Sequence, residues 1–427
     1  MPVAGPDAHR PHVTSRKETS LPPAADTGTN NSTESREAGP SGRTGRRWGL
    51  RNLPSLLSSL DSPADAVSFV GPNWFASIMG TGIVANAAAT LPFLAQRLHI
   101  FALTVWIIAA VMLLVVSVAV VAHWMRHPQV ARSHAQNANM AQFYGAPPMA
   151  LMTVGGGALL VGKSLIGIHA AVDLDWVLWS AGTLGGLFTA IYIPYLLFTQ
   201  HDVRPDAAFG GWLMPVVPPM VAAANGALLV PHLAAGSGRA TLLYGCYAMF
   251  GLSLVASLII ITMIWSRLAH HGSSGTTRVP TLWIVLGPLG QSITAAALLG
   301  TNAHLAVAPV LASSMNTFAV LYGVPVFGFA FLWAGLAASL TIRAIRRGLP
   351  FALTWWSFTF PVGTCVTGIT GLSLHTGLPA FRWAAVIAYA GLLTAWLAVA
   401  IRTARGSLSG DLLLAPTTSG PPIAIKG

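Results

Sequence analysis

Uncharged, strongly apolar stretches alternate along the chain with short connections that hold most of its arginine, lysine and aspartate residues. A helix needs about 20 apolar residues to cross the hydrocarbon core of a bilayer. The pattern therefore predicts ten membrane-spanning helices. We place them at roughly 70–91, 99–122, 148–168, 176–199, 212–231, 242–265, 281–300, 315–340, 354–373 and 382–401.

One uncharged stretch, residues 354–371, is interrupted by Pro361, which lacks a backbone N–H and favours a kink. Its freed backbone groups should face other helices or a water-filled cavity. Similar stretches begin near Pro72, Pro148, Pro218 and Pro288. Successive prolines are 76, 70, 70 and 73 residues apart, a period of two helices, which predicts five helical hairpins with kinks at these prolines. The alternative is that proline and glycine are simply common in membrane helices.

The composition supports this interpretation, because 54% hydrophobic and only 8% charged residues exclude an ordinary soluble domain. A net charge of +11 would suggest nucleic acid as the partner of a soluble chain. Here the basic residues lie in tails and short loops, where membrane topology explains them, and we expect no nucleic-acid partner. Cys246 and Cys365 both fall in apolar spans, so neither a disulfide framework nor a cysteine metal site is expected.

Three regions follow from the pattern. Residues 1–65 read as a disordered cytoplasmic tail, in which 49–60 could be an interfacial helix or a plain linker. Residues 66–405 form the ten-helix transmembrane domain, and 406–427 form a C-terminal tail. Connections after even-numbered helices hold eight Lys or Arg residues and those after odd-numbered helices hold four, so both termini should be cytoplasmic and the protein should lie in the plasma membrane.

Motifs of intramembrane enzymes are missing: the sequence holds no HExxH, GxSxG, Walker or Rossmann pattern. No Asp or Glu falls inside the predicted spans. We expect no enzyme activity, no cofactor and no metal, and a proton-driven carrier would lack a titratable group at mid-depth. His123 and His127 are spaced for a metal, but beside Arg126 at a helix end we prefer interfacial snorkelling.

Neutral polar residues and glycines of the odd-numbered helices could line a narrow polar path, or could instead form interhelical hydrogen bonds. These candidates are Ser77, Gly80, Thr81, Thr153, Gly156, Asn225, Gly226, Gln291, Thr294, Thr364 and Thr367. Each predicted outer connection also has one histidine at or near it: His99, His169, His232, His304 and His375. When protonated these could ring an outer mouth and attract anions, although histidine is also tolerated at any membrane interface.

Two segments carry a resemblance to a known family. GPNWFASIMGTGIVA, residues 71–85, resembles the first-helix signature of the tellurite-resistance/dicarboxylate transporter family, and residues 355–361 are similar to its ninth helix. That family includes tellurite-resistance protein A, malate permeases, sulfite efflux pumps and plant slow anion channels. The resemblance covers about residues 66–405.

The resemblance implies ten helices in five hairpins around a central pore with quasi-five-fold symmetry, usually as a homotrimer with one pore in each protomer. It also implies a phenylalanine beside the ninth-helix kink that closes the pore. Phe360 matches this position best, and Phe358 is the competing choice. A core or lipid-facing ring is the alternative role for Phe360.

Together these observations predict an all-α multi-pass membrane protein that moves small anions across the lipid bilayer. C4-dicarboxylates such as malate come first as substrates. Sulfite or another inorganic anion, or tellurite resistance, is the alternative within the family. A channel-like exporter and a proton-coupled carrier are both open. A receptor or scaffold without a central passage is the alternative from another class.

Overall fold

Helices make up the part of the chain that a computed structural model describes, residues 59, 62, 66–204, 206–273 and 275–414, and no β-strand occurs within it. The α-helices are α1 (Phe75–Thr90), α2 (His99–Arg126), α3 (Pro128–Gln136), α4 (Ala146–Gly157), α5 (Lys163–Ile166), α6 (Ile168–Thr199), α7 (Pro218–Leu229), α8 (Ser237–His271), α9 (Leu286–Asn302), α10 (Pro309–Arg346), α11 (Phe360–Thr376) and α12 (Pro379–Ser409). The predicted interfacial helix at 49–60 lies, apart from Ser59, outside the described residues, as does most of both tails.

Seven segments of the described residues are long and apolar enough to cross a membrane. They are His99–Arg126, Ala141–Ile166, Ile168–Thr199, Ser237–His271, Val279–Leu305, Pro309–Arg346 and Pro379–Ser409. The chain is thus an all-helical, multi-pass membrane protein. Helices α1, α7 and α11 are shorter, at 16, 12 and 17 residues, and most of their side chains are buried.

Burial divides the long helices into two groups. We call α1, α4, α7, α9 and α11 the inner helices, because most of their residues are buried. The helices α2, α6, α8, α10 and α12, which we call the outer helices, expose large apolar side chains such as Ile100 and Phe331. A soluble protein rarely exposes so much apolar surface, whereas lipid accommodates it.

The inner helices contact one another in sequence order, and α11 returns to contact α1. Each also packs against the outer helix that follows it. Hydrogen bonds between neighbouring inner helices join residues 67 (Asn86–Thr153), 73 (Asn225–Met152), 75 (Asn302–Ala227) and 70 (Thr294–Thr364) positions apart. These separations are close to the proline period, so corresponding positions of successive hairpins lie side by side.

Each proline that marks the period lies where an inner helix starts. Pro218 opens α7, Pro361 is the second residue of α11, and Pro148 and Pro288 are the third residues of α4 and α9. Pro72 opens a 3₁₀ segment, Pro72–Trp74, just before α1. Corresponding 3₁₀ segments precede the other four: Ala141–Gly145, Gly210–Leu213, Val279–Val285 and Leu353–Phe358.

The sequence pattern predicts a kink inside a continuous helix, but the structure instead has a 3₁₀ segment followed by an α-helix. The difference has a simple cause, since the N–H groups of the first helical turn have no intrahelical acceptor. A proline in the first turn therefore removes no hydrogen bond, whereas a proline in the interior of a helix removes one.

Aromatic side chains of the outer helices donate hydrogen bonds to backbone carbonyls of a neighbouring hairpin. Trp106 Nε1 of α2 donates to the carbonyl of Val154 at 2.9 Å, and Trp179 Nε1 of α6 donates to that of Ala222 at 2.9 Å. Tyr389 of α12 donates its hydroxyl to the carbonyl of Val84 in α1 at 3.3 Å. This last bond joins the final hairpin to the first one.

Two helix boundaries differ from the expected ones. Helix α6 begins at Ile168 instead of near residue 176, because the chain reverses at Gly167, with φ +80°, and nothing after it breaks a helix. Two aspartates predicted in a connection, Asp173 and Asp175, consequently lie within α6. Helix α12 continues to Ser409 and ends at Gly410, with φ +90°.

The closest contact between inner helices offers a test of this packing. A Cβ at Gly290 in α9 would overlap the backbone of Thr364 and Cys365 in α11, which cannot move aside as a side chain can. We expect Gly290→Ala to lower the melting temperature of the detergent-solubilised protein, since overpacking costs about 1–3 kcal/mol. At the exposed Gly328 of α10 no atom lies within 4 Å of a new Cβ, so Gly328→Ala should leave the melting temperature equal or higher. Equal melting of both variants would contradict the packing.

Candidate functional site

Residues of all five hairpins meet around two cavities between the inner helices. The first lies near the helix starts, which we call the proline end, and has a volume of about 20 Å³. A single water molecule needs about 10–15 Å³, so this space holds little more than one. Its walls are largely apolar and include Met79, Phe143, Met149, Met214, Ile284 and Phe360. The proline end is therefore closed by apolar side chains.

The two candidate phenylalanines differ in position. Phe360 lines the first cavity and is 2% exposed. Phe358 does not line it, and its ring packs edge-on against Trp283, with centroids 5.7 Å apart, and against Trp355. An apolar ring at a narrow passage excludes water and ions until it turns aside. Of the two, only Phe360 contributes to the wall of this cavity.

The second cavity lies further along the inner helices, away from the proline end, and has a volume of about 110 Å³. Its polar lining comes from all of the inner helices except α4. These residues are Asn86, Thr90, Asn225, Gln291, Thr294, Thr301, Thr367, Thr370 and His375. Among the described residues that line it there is no Asp, Glu, Lys or Arg. The cavity is thus polar without a fixed charge.

Several donors of the second cavity keep unused hydrogen-bonding capacity. The carboxamide of Gln291 has no hydrogen-bond partner within the described residues, and the buried hydroxyl of Thr370 has none either. Asn225 uses one N–H on the carbonyl of Met152, at 2.9 Å, and keeps a second. The hydroxyls of Thr294 and Thr367 bond each other at 2.7 Å. Free amide N–H and hydroxyl groups can bind an anion without a permanent positive charge.

Three glycines of α4, Gly155–Gly157, let neighbouring side chains approach its backbone. The consecutive carbonyls of Met152, Thr153 and Val154 accept N–H groups from Asn225, Asn86 and Trp106. A π-helical turn, Ala158–Gly162, follows. These bonds fix Asn86 and Asn225 beside the second cavity and hold α4 between its neighbours.

Of the lining residues expected from the sequence, Asn225, Gln291, Thr294 and Thr367 reach the second cavity. The structure places the others in contacts with neighbouring groups. Thr81 accepts a hydrogen bond from Trp396 of α12 at 3.2 Å, and Thr364 donates to the carbonyl of Pro361. Ser77 and Thr153 donate to carbonyls of their own segments, at Trp74 and Met149. Gly80 lies against Thr359 and Trp356, Gly156 against Asn225, and Gly226 against Cys246 and Trp179.

The sequence reasoning missed Asn86, Thr90, Thr301 and Thr370, which also line the second cavity. Asn86 carried the same signal as Asn225, an amide within an otherwise apolar predicted helix. The threonines carried no distinguishing signal, because hydroxyls occur on every face of these helices.

One of the five outer histidines, His375, lines the second cavity. Its Nδ1 bonds the carbonyl of Gly371 at 2.9 Å, which directs Nε2 towards the hydroxyl of Thr301, 3.5 Å away. His304 and His375 share an open groove outside this cavity. His169 is exposed, and His99 is half-buried and bonds Ser164. Burial and the neighbouring Lys163 lower the pKa of His232, which disfavours its charged form.

Three histidines cluster at the proline end. His123 is fully buried, its Nδ1 donates to the carbonyl of Val67, and its ring lies 5.3 Å from His134 and 6.0 Å from His127. The expectation that His123 snorkels to the interface is therefore wrong, because the residues before α1 cover it. Burial, and then the neighbouring His123, lower the pKa of His134, so it carries little charge at neutral pH. Within the described residues no group of three or more His, Cys, Asp or Glu could hold a metal ion.

The expectation that no Asp or Glu lies within a membrane-spanning helix is also wrong. Asp175 lies in the third turn of α6 and is fully buried, and neither carboxyl oxygen has a hydrogen-bond partner in the described part of the chain. Sequence reasoning treated its charge as the mark of a connection. Asp175 faces Gly155, where a Cβ would lie 2.5 Å from its Oδ1, and it does not line the second cavity.

The ring of inner helices and the cavities within it define a multi-pass membrane protein of the class that moves small solutes. Residues 70–404 match the family described as SLAC1, voltage-dependent anion channel. The chain belongs to this family of anion transporters, whose proteins act as transporters or channels and not as enzymes.

Individual relatives cover most of the chain. An uncharacterized transporter of Methanocaldococcus jannaschii is 25% identical over 343 residues, 80% of this chain and 93% of the relative. A sulfite efflux pump of Trichophyton rubrum is 25% identical over 323 residues, 74% of this chain and 85% of the relative. A malic acid transport protein of Schizosaccharomyces pombe is 21% identical over 305 residues, 68% of this chain and 67% of the relative.

Proposed function

We propose that the chain moves small anions across the cell membrane along the axis between the inner helices. The observation that carries this proposal is the second cavity, which is lined by neutral amide and hydroxyl groups, some of them with free N–H or O–H capacity, and, among the described residues, by no acidic side chain. A negatively charged solute meets donors there and no repelling carboxylate. Cations would meet only neutral amide and hydroxyl oxygens, with no negative charge to replace their hydration.

Sulfite is our first candidate substrate and malate the second. On the measure by which one water needs about 10–15 Å³, a cavity of about 110 Å³ admits either a four-atom oxyanion or a C4-dicarboxylate, so its size does not set the order. The relatives support this order, since several are named sulfite efflux pumps at 25–26% identity, whereas the malic acid transport protein is more distant at 21%. This reverses the preference drawn from the sequence.

The finer architecture belongs to the same proposal. Ten spans in five hairpins with quasi-five-fold symmetry are supported by the sequence-order contacts of the inner helices and by their hydrogen-bond spacing. Loop arginines support cytoplasmic termini in the plasma membrane. The homotrimer is supported by the resemblance alone. With this orientation the proline end faces the cytoplasm, and His375 lies at the outer mouth.

A receptor or scaffold fits the structure less well. In such a protein the prolines would only shape packing, and nothing would require residues from every hairpin to meet around enclosed cavities. Here residues of all five hairpins contribute to both the closed first cavity and the polar second one.

The substrate order predicts a flux ratio. In proteoliposomes that contain the full chain, we expect sulfite efflux to exceed malate efflux under equal gradients, with nitrate and chloride as the comparison anions. Protein-free liposomes supply the background. Malate flux above sulfite flux would reverse the order, and no flux of any of these anions above background would contradict the proposed function.

The closed proline end predicts a gain of flux on removing one ring. Phe360→Ala should raise sulfite flux about tenfold or more, because it opens the apolar closure around the first cavity. Phe358→Ala is the matched control, since its ring packs against Trp283 and does not line the cavity, and its flux should stay near that of the wild type. Unchanged flux in Phe360→Ala, or an equal gain in both variants, would remove the assignment of Phe360.

A further inference from the structure

Asp175 is a buried acid that the neutral lining of the cavities does not explain. It is 0% exposed, and counted from the first residue of α6 it lies about 10 Å into the helix, at a rise of about 1.5 Å per residue. Both carboxyl oxygens are without a hydrogen-bond partner in the described residues. An ionisable residue inside a membrane domain is costly to keep and usually takes part in transport.

No charged neighbour compensates this carboxyl. Helix α6 packs against α4, the π turn Ala158–Gly162, α5, α7 and the 3₁₀ segment Ala141–Gly145. The charged or titratable residues on all of these elements, α6 included, are Tyr144, Lys163, His169, Asp173, Tyr192 and Tyr195. Lys163, His169 and Asp173 are exposed near the start of α6, and the three tyrosines lie on or near its far half. An ionised carboxylate would therefore be unpaired, so the resting carboxyl holds a proton.

Helix α4 contacts both Asp175 and a residue of the second cavity. Gly155 faces Asp175, and the next residue, Gly156, faces Asn225, which lines that cavity. Neither glycine has a side chain to keep these groups away from the backbone. The π turn that follows this run of glycines is a type of helix irregularity found often at functional sites. Consecutive residues of α4 therefore connect Asp175 to the lining of the cavity.

We propose that Asp175 binds and releases a proton in each transport cycle and thereby couples anion movement to proton movement. The inference rests on the proposed anion transport. An anion beside Asn225 repels an ionised carboxylate at Asp175, so anion binding and protonation of Asp175 favour each other. At the start of the cycle the carboxyl of Asp175 already holds a proton taken from water on one side, and the anion enters from that side. Both leave on the other side, and the carboxylate is reprotonated in the next cycle.

The test is Asp175→Asn, which keeps the shape of the side chain and cannot exchange a proton. Proteoliposomes with labelled sulfite give two readouts: exchange at equal sulfite and equal pH on both sides, and accumulation driven by a pH gradient. We expect Asp175→Asn to keep exchange within about twofold of the wild type and to lose gradient-driven accumulation. Asp173→Asn, exposed on the same helix, is the matched control and should keep both.

Two results would overturn the inference while leaving the proposed function intact. The first is accumulation by Asp175→Asn equal to that of the wild type, which would make the buried carboxyl a purely structural group. The second needs no variant: a protonophore that collapses the pH gradient should abolish sulfite accumulation by the wild-type protein, and unchanged accumulation would contradict coupling. A wild-type protein that exchanges no sulfite at all would instead count against the proposed function.

Discussion

Every backbone N–H and carbonyl in an apolar membrane interior needs a partner inside the protein, and this requirement shapes the arrangement of the inner helices. Prolines begin these helices at the one place where a missing N–H costs nothing. Carbonyls along α4 take additional donors from Asn86, Asn225 and Trp106. These same bonds join the second hairpin to the first and the third, so the groups that bond the backbone of α4 also hold neighbouring hairpins together.

The cavities follow from this assembly. Glycines such as Gly156 and Gly290 allow close approach of neighbouring helices, and the polar side chains that bond across the contacts point their remaining groups inward. At the proline end apolar side chains, among them Phe360, fill the axis instead. Under the proposed function, a passage with neutral donors at one end and an apolar closure at the other would select small anions without holding them strongly.

Much of this fold could be predicted from the sequence, because long apolar segments and a proline period are large signals. The period predicted helix pairs, and the residue separations of interhelical bonds such as Asn225–Met152 are close to it. Among site residues, Gln291 and Asn225 could be named because a neutral amide in an apolar helix is rare. The sequence could not show which neighbour the side chains of Thr81 and Ser77 face. The inner helices are apolar on all sides, so no polar face indicates their rotation about the helix axis.

Asp175 shows a different limit. Its charge suggested a connection between helices, yet the helix begins at Ile168 and buries Asp175 against Gly155. The burial depends on a glycine of α4, 20 residues earlier in the chain, and no local rule contains that information. The outer histidines show the same limit. Their five positions look alike in the sequence, but of the five only His375 lines the second cavity.

Reaction of a cysteine in the second cavity with an anionic, membrane-impermeant thiol reagent tests the central claim most directly. In a background without Cys246 and Cys365, Thr370→Cys should react with reagent added from the side of His375, lose sulfite flux, and be protected by saturating sulfite. Ser77→Cys, buried outside both cavities, is the control and should not react. A Thr370→Cys protein that stays unmodified, or that reacts without any loss of flux, would contradict an anion path between the inner helices.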